Sequence, residues 1–233
     1  MKLIKSSSYN GLEMLKKYVE DGYSADMLDK ISYIFTYVDM IREFSPVFMR
    51  FDFPQNMTST HNVENFFKRL KKNHTSRNRK IFFMYTFEQK EGSNHLHAHA
   101  FCIVDRRDYR FRRSVKAMLQ KTWDYEQEQN PDLKNLWIST APPGRRGNVK
   151  GYNFYSLSTH ENAHTAIDEA FKAASYLAKL TQIPKAGMLP AGARRWRCSE
   201  MPRLSQKEIR PGFDPEKNTR VYPPPTKSRV RCT

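Results

Sequence analysis

The run "KIFFMYTFE" at residues 80–88 and the run "HLHAHAFCIV" at 95–104 are separated only by "QKEGSN". Both runs are rich in β-branched, aromatic and apolar residues and contain no proline, and the polar connector holds a glycine, so a β-hairpin is predicted. Strand side chains alternate between two faces. His95, His97 and His99 should therefore project from one side, and Leu96, Ala98, Ala100 and Cys102 from the other. With the turn centred on Glu91 and Gly92, Glu88 is expected opposite His95, Thr86 opposite His97 and Met84 opposite His99. Neutral imidazoles two residues apart on a strand can share one metal ion, and the hairpin would bring the Glu88 carboxylate to them. A polar strand face whose histidines bond their neighbours is the plainer alternative.

The flanking segments predict what surrounds this hairpin. Residues 11–44 carry Leu12, Leu15 and Val19, then Met27, Ile31, Ile34, Val38 and Ile41 at helical spacing, with a break at Gly22, which reads as two helices. "PVFMRFDFP" at 46–54 reads as a short strand between prolines, and "STHNVENFFKRLKKNH" as an amphipathic helix capped by Thr60. "RRDYRFRRSVKAMLQKTWDYEQEQ" reads as a basic loop and helix, and "NLWISTAPPGRRGNVKGYNFYSLS" as two strands around a Pro-Gly-Arg loop. The Ala-rich residues 162–181 give the strongest helix signal, with a buried stripe of Ile167, Ala170, Phe171, Ala174, Leu177 and Ala178. The chain from Pro184 onward is basic and broken by proline, and reads as loop-like.

Composition limits the partners. The 233 residues suit one large domain with appendages, and a formal net charge of +16, spread over several segments, predicts a polyanionic partner. No apolar stretch approaches the roughly 20 residues needed to span a bilayer, and the N-terminal stretch lacks a signal-peptide apolar core. Nucleic acid in the cytoplasm is the simpler expectation, with no membrane partner. Cys102, Cys198 and Cys232 are widely separated with no C-x-x-C spacing, so neither a disulfide framework nor a structural zinc site is indicated. The runs "FKRLKKNHTSRNRK" and "RRDYRFRRSVK" would supply phosphate contacts through Arg69, Lys71, Lys72, Arg106, Arg107, Arg110, Arg112 and Arg113, with interleaved Phe and Tyr to stack on unpaired bases. Either run alone reads more often as a solvated face, and Trp123, Trp137 and Trp196 as core or rim packing rather than base platforms.

Within the Ala-rich helix, "SYLAKL" sets Tyr176 and Lys179 three residues apart on one helical face. A Y-x-x-K pair downstream of a His-x-His strand on a basic chain resembles the HUH endonucleases, which cut single-stranded DNA with a tyrosine. "HAHAFCIVD" at 97–105 resembles, more narrowly, the replication initiators of filamentous phages and their prophage-encoded relatives. "FMRFDFP" is similar to their Arg-x-Asp motif, "TFE" ending at Glu88 to their carboxylate motif, and "ASYLAK" to their tyrosine motif, followed here by the basic "AGARRWRCSEMPR". The likeness spans roughly residues 46–205. It divides the chain into an N-terminal helical region at 1–45, an HUH-type nicking domain at 46–205 and a basic Pro-rich tail at 206–233.

The resemblance implies an α+β fold: a central antiparallel sheet with the hairpin strands central, helices on one face, and metal and tyrosine meeting on the other. It implies Mg2+ or Mn2+ held by His97 and His99 with Glu88, His95/His97 being an alternative register, and Asp52 either behind the metal ligands or anchoring its strand. Tyr176 would attack phosphorus, leaving a 5′-phosphotyrosine and a 3′-hydroxyl for the host replication machinery to extend, while Lys179 would stabilise charge or aid deprotonation. The partner would be single-stranded or melted origin DNA in a bacterial host's cytoplasm. Tyr152 and Tyr155 are candidates for a second tyrosine. The same chemistry would serve an HUH transposase or plasmid relaxase, and a non-catalytic nucleic-acid-binding protein with structural histidines is the rival from another class.

Overall fold

A computed structural model describes residues 2–55, 57, 59–89, 95–109, 112–138, 154–157, 163–184, 187–191 and 193–211. In chain order its elements are β1 (Leu3–Ile4), β2 (Ser8–Tyr9), β3 (Leu12–Glu13), β4 (Tyr23–Ser24), α1 (Ala25–Met40), β5 (Pro46–Asp52), α2 (His61–Thr75), β6 (Ile81–Gln89), β7 (Leu96–Asp105), α3 (Arg112–Gln129), β8 (Phe154–Ser156), α4 (Ala163–Ser175) and β9 (Trp196–Cys198). Five of these strands form one antiparallel sheet in the order β8-β5-β7-β6-β9, so the predicted hairpin, β6 and β7, lies inside it.

The hairpin register differs from expectation by two residues. Glu88 pairs with His97, Thr86 with His99 and Met84 with Phe101. Gln89 and Leu96 are the last pair, so the connection is longer than the tight turn assumed. An even-numbered slip preserves which residues share a face; Glu88 stays with His97 and His99.

Helices pack on both faces of the sheet, not on one. Along each strand both alternating sets are largely apolar, and each must be covered. Phe48, Phe82, Met84, Phe101 and Ile103 pack against α1 and α4 in one cluster. Met49, Phe51, Phe83, Tyr85, Ala100 and Cys102 pack against α2 and α3 in the other. Cys102 is a buried free thiol in the second of these clusters.

Residues 1–45 are not a separate helical region. Helix α1 begins at Ser24, whose hydroxyl accepts from the Met27 N–H at 3.4 Å, and its Met27, Leu28, Ile31, Ile34, Phe35 and Val38 line the same cluster as α4. The expected first helix is absent: Leu12 and Met14 are buried at a spacing of two, which belongs to extended chain, and only Lys16–Tyr18 make a 3-10 turn. Gly22 adopts φ +84, a conformation that L side chains rarely take and that interrupts a helix, so the break falls where expected. At the other end, Ile209 bridges Ile41 and Arg210 pairs with Asp39 at 3.1 Å, tying the start of the expected tail to the end of α1. Beyond Pro184, the chain adds the edge strand β9. The Pro-Gly-Arg loop lies outside the described residues.

Candidate metal and tyrosine site

The site forms where three strands come together near their ends. Asp52 closes β5, Glu88 lies near the end of β6, and His97 and His99 lie near the start of β7, all on the α1/α4 face. The candidate metal ligands are thus on the face that α1 and α4 cover, not on the helix-free face expected.

Glu88 is fully buried, and His97 and His99 are 7% and 6% exposed. One ligand atom from each lies within 4.8 Å of the others, a group that can hold one metal ion. Glu88 Oε2 is 3.1 Å from His99 Nε2 and 3.5 Å from His97 Nε2. Neither Glu88 oxygen makes a hydrogen bond of good geometry. A buried carboxylate facing two imidazole nitrogens is a donor set suited to a divalent cation, with Lys179 supplying positive charge to the same oxygen at 2.8 Å. Burial alone would push the Glu88 carboxyl up, but His97, His99 and Lys179 outweigh it and hold the group well below the usual carboxylate range.

Asp52 holds His99 from behind, its Oδ1 lying 2.5 Å from Nδ1. A proton on Nδ1 leaves Nε2 free to ligate, the arrangement by which an outer carboxylate orients a metal-binding imidazole. Burial disfavours charge on His99, and the Asp52 and Glu88 carboxylates override that and raise its pKa. Of the two roles open for Asp52, support of His99 is the one with a direct contact. His95 is exposed, precedes β7 and is not part of the convergent group, so the later register, His97/His99, is the one assembled.

Helix α4 ends at Ser175, earlier than expected. Tyr176–Ala178 tighten into a 3-10 turn and Lys179 turns extended to bridge Tyr23. Three residues per turn still stacks Tyr176 on Lys179. The Tyr176 hydroxyl lies 3.5 Å from His99 Nε2, its ring packs edge-on to His99 at 4.7 Å, and Lys179 Nζ lies 3.7 Å from the ring centroid. Lys179, 1% exposed, also reaches Glu88 Oε2 at 2.8 Å. Burial pulls the Lys179 pKa down, partly offset by Glu88, and burial followed by the Glu88 charge pushes the Tyr176 phenol up.

Three contributors had no assigned role in the sequence. Arg50 sets its guanidinium 4.0 Å from the Tyr176 ring centroid and 3.4 Å from Asp52; its place two residues before Asp52 on one strand face was the available signal. Tyr18 packs edge-on to Tyr176 at 5.5 Å from the N-terminal region, a long-range contact with no local signature. Arg195 donates to the Lys179 carbonyl at 2.8 Å. Of the alternative tyrosines, Tyr155 is in β8 opposite Phe48 and Tyr152 lies outside the described residues.

The basic runs are not brought to this cluster. Arg69, Lys71 and Lys72 are on α2, across the sheet; Arg69 pairs with Glu126 at 3.7 Å and Lys71 with Glu200 at 2.9 Å. Arg106 and Arg107 follow the opposite end of β7, roughly 20 Å from His99 at about 3.3 Å per residue, and Arg107 clasps Asp105 at 2.6 Å. Arg113 is exposed on α3, Arg110 lies outside the described residues, and so does the Arg112 side chain. A separate cavity of about 440 Å³ lies along β9 and α2, with Phe67, Tyr85, Lys68, Lys71 and Arg197 in its wall. Among the described residues no helix is long and apolar enough to cross a membrane. No protein-family model matches the chain, and neither curated proteins nor solved structures give a match.

Proposed function

We propose that this protein is an HUH-type endonuclease and strand transferase that nicks and rejoins single-stranded DNA through Tyr176, as a replication initiator does. The observation that carries the reading is the placement of a phenol hydroxyl 3.5 Å from His99 Nε2, in a buried cluster where His97, His99 and Glu88 converge. His97, His99 and Glu88 would hold Mg2+ or Mn2+, which when bound supplies positive charge to polarise a phosphodiester oxygen. Tyr176 Oη forms the new bond to phosphorus and the bond to the 3′ oxygen breaks, giving a 5′-phosphotyrosine and a 3′-hydroxyl. The phenol proton leaves and the departing oxygen gains one, so the step is balanced and reversible. Packing by Arg50, Lys179 and His99 fixes the ring, and fixed position is worth much of the rate. Arg50 and Lys179 also set positive charge over the Tyr176 ring.

One observation favours the rival, a binding protein with a structural polar cluster: Lys179 already neutralises Glu88 at 2.8 Å. A labelled single-stranded oligonucleotide incubated with Mn2+ and resolved by denaturing electrophoresis separates the two. The enzyme forms a covalent adduct that Tyr176→Phe abolishes while DNA and Mn2+ binding persist; the binding protein forms none.

A further inference from the structure

Trp137 is 55% exposed, whereas Trp123 is fully buried in the far-face cluster. Its backbone exchanges two hydrogen bonds with Asp52, each 2.9 Å, as an antiparallel bridge. Residues opposed in this way carry their side chains on the same face, with Cα atoms about 5.5 Å apart. The Asp52 side chain points to His99, so the indole emerges on the site face beside that pair. The neighbours agree: Leu136 and Ile138, each 6% exposed, pack into the far-face cluster, which by alternation sends Trp137 the other way.

We propose that Trp137 is a nucleobase platform, on which a base flanking the scissile phosphate stacks as the strand enters the site. The inference rests on the single-strand DNA reading above and adds a contact to it. An indole that packing leaves half in water keeps its π-face available, and the unpaired bases of a single strand are flat π-surfaces that stack on such rings with little sequence preference. The net charge of +16 draws the phosphates but cannot hold a base, whereas an aromatic face can.

The test compares an oligothymidylate with an abasic deoxyribose-phosphate strand of equal length, which carries the same phosphates and no bases. Wild-type protein, read by fluorescence anisotropy, should prefer the base-containing strand. Trp137→Ala should lose about five- to a hundredfold of that preference, while Trp137→Phe, which keeps a ring, should retain most of it. An unchanged preference in Trp137→Ala, or no preference in the wild type, overturns the proposal. Adduct formation is scored separately: stacking without adduct refutes the nuclease reading alone, and adduct with no effect of Trp137→Ala refutes the platform alone.

Discussion

His74 and His99 are almost equally buried, at 2% and 6% exposed, on opposite sides of one sheet. His74, on α2, sets Nδ1 2.9 Å from the Leu70 carbonyl and Nε2 3.1 Å from the Tyr109 hydroxyl. Burial depresses its pKa, with the Leu70 carbonyl offsetting only part. His99 is flanked by Asp52 and Glu88, with Tyr176 and Lys179 beyond. Burial alone therefore does not mark a functional histidine; partner chemistry does. The far side gives His74 a carbonyl and a hydroxyl as partners and sets it near an aromatic wall of Phe51, Phe53, Phe66, Phe67 and Trp123. The site side gathers charges with incomplete bonding.

Substitutions on the two sides should separate stability from metal binding. Glu88→Gln keeps the shape but leaves Lys179 buried without its carboxylate. It should cost about 3–5 kcal/mol and weaken Mn2+ binding at least about tenfold, read by denaturant unfolding and calorimetric titration. Intact Mn2+ affinity would erase the distinction between the sides. Phe66→Ala, in the far wall, should cost a similar ~3–5 kcal/mol yet leave Mn2+ affinity of the folded protein unchanged.

His74 sharpens the contrast by its pH dependence. Its folded pKa lies below its ordinary value, so the unfolded chain binds the proton first. Its contribution is fully present above the ordinary value of 6.5 and is lost as pH falls through the depressed folded value. His74→Gln, which does not titrate, should flatten the loss of stability between about pH 7.5 and about pH 5; an equal loss in both proteins would mean that another group governs it. The smallest effect is expected from joint alanine substitution of Arg69, Lys71 and Lys72. Being across the sheet, they should change the slope of log affinity against log salt by less than about 0.7, one phosphate contact on a single strand. A larger change would bring the far side into DNA binding.

The sequence made local and alternating features legible, because they depend on neighbours in the chain. The period of two placed His97, His99 and Glu88 on one face even though the register was displaced by two. The turn length that sets register has no such period. The apolar spacing located α2, although Thr60 at its start makes no side-chain capping bond, and the Ala-rich stripe located α4. The end of α4 was missed because Lys179 is drawn into a bridge with Tyr23, a partner far away in sequence. Tyr18 and the packing of α1 escaped for the same reason. The covering of both faces was readable in principle, since Phe48 and Phe101 on one side and Phe51 and Cys102 on the other are all apolar.

The most direct test of the central claim, that Tyr176 is the nucleophile of a DNA-nicking site, is to map the modified residue. The protein is incubated with single-stranded DNA and Mn2+, the adduct is trimmed by nuclease and protease, and the nucleotide-bearing peptide is sequenced by mass spectrometry. The account predicts a phosphonucleotide on Tyr176. A nucleotide on Tyr18, whose ring lies 5.5 Å away, or on Tyr155, or no modified peptide at all, would contradict it.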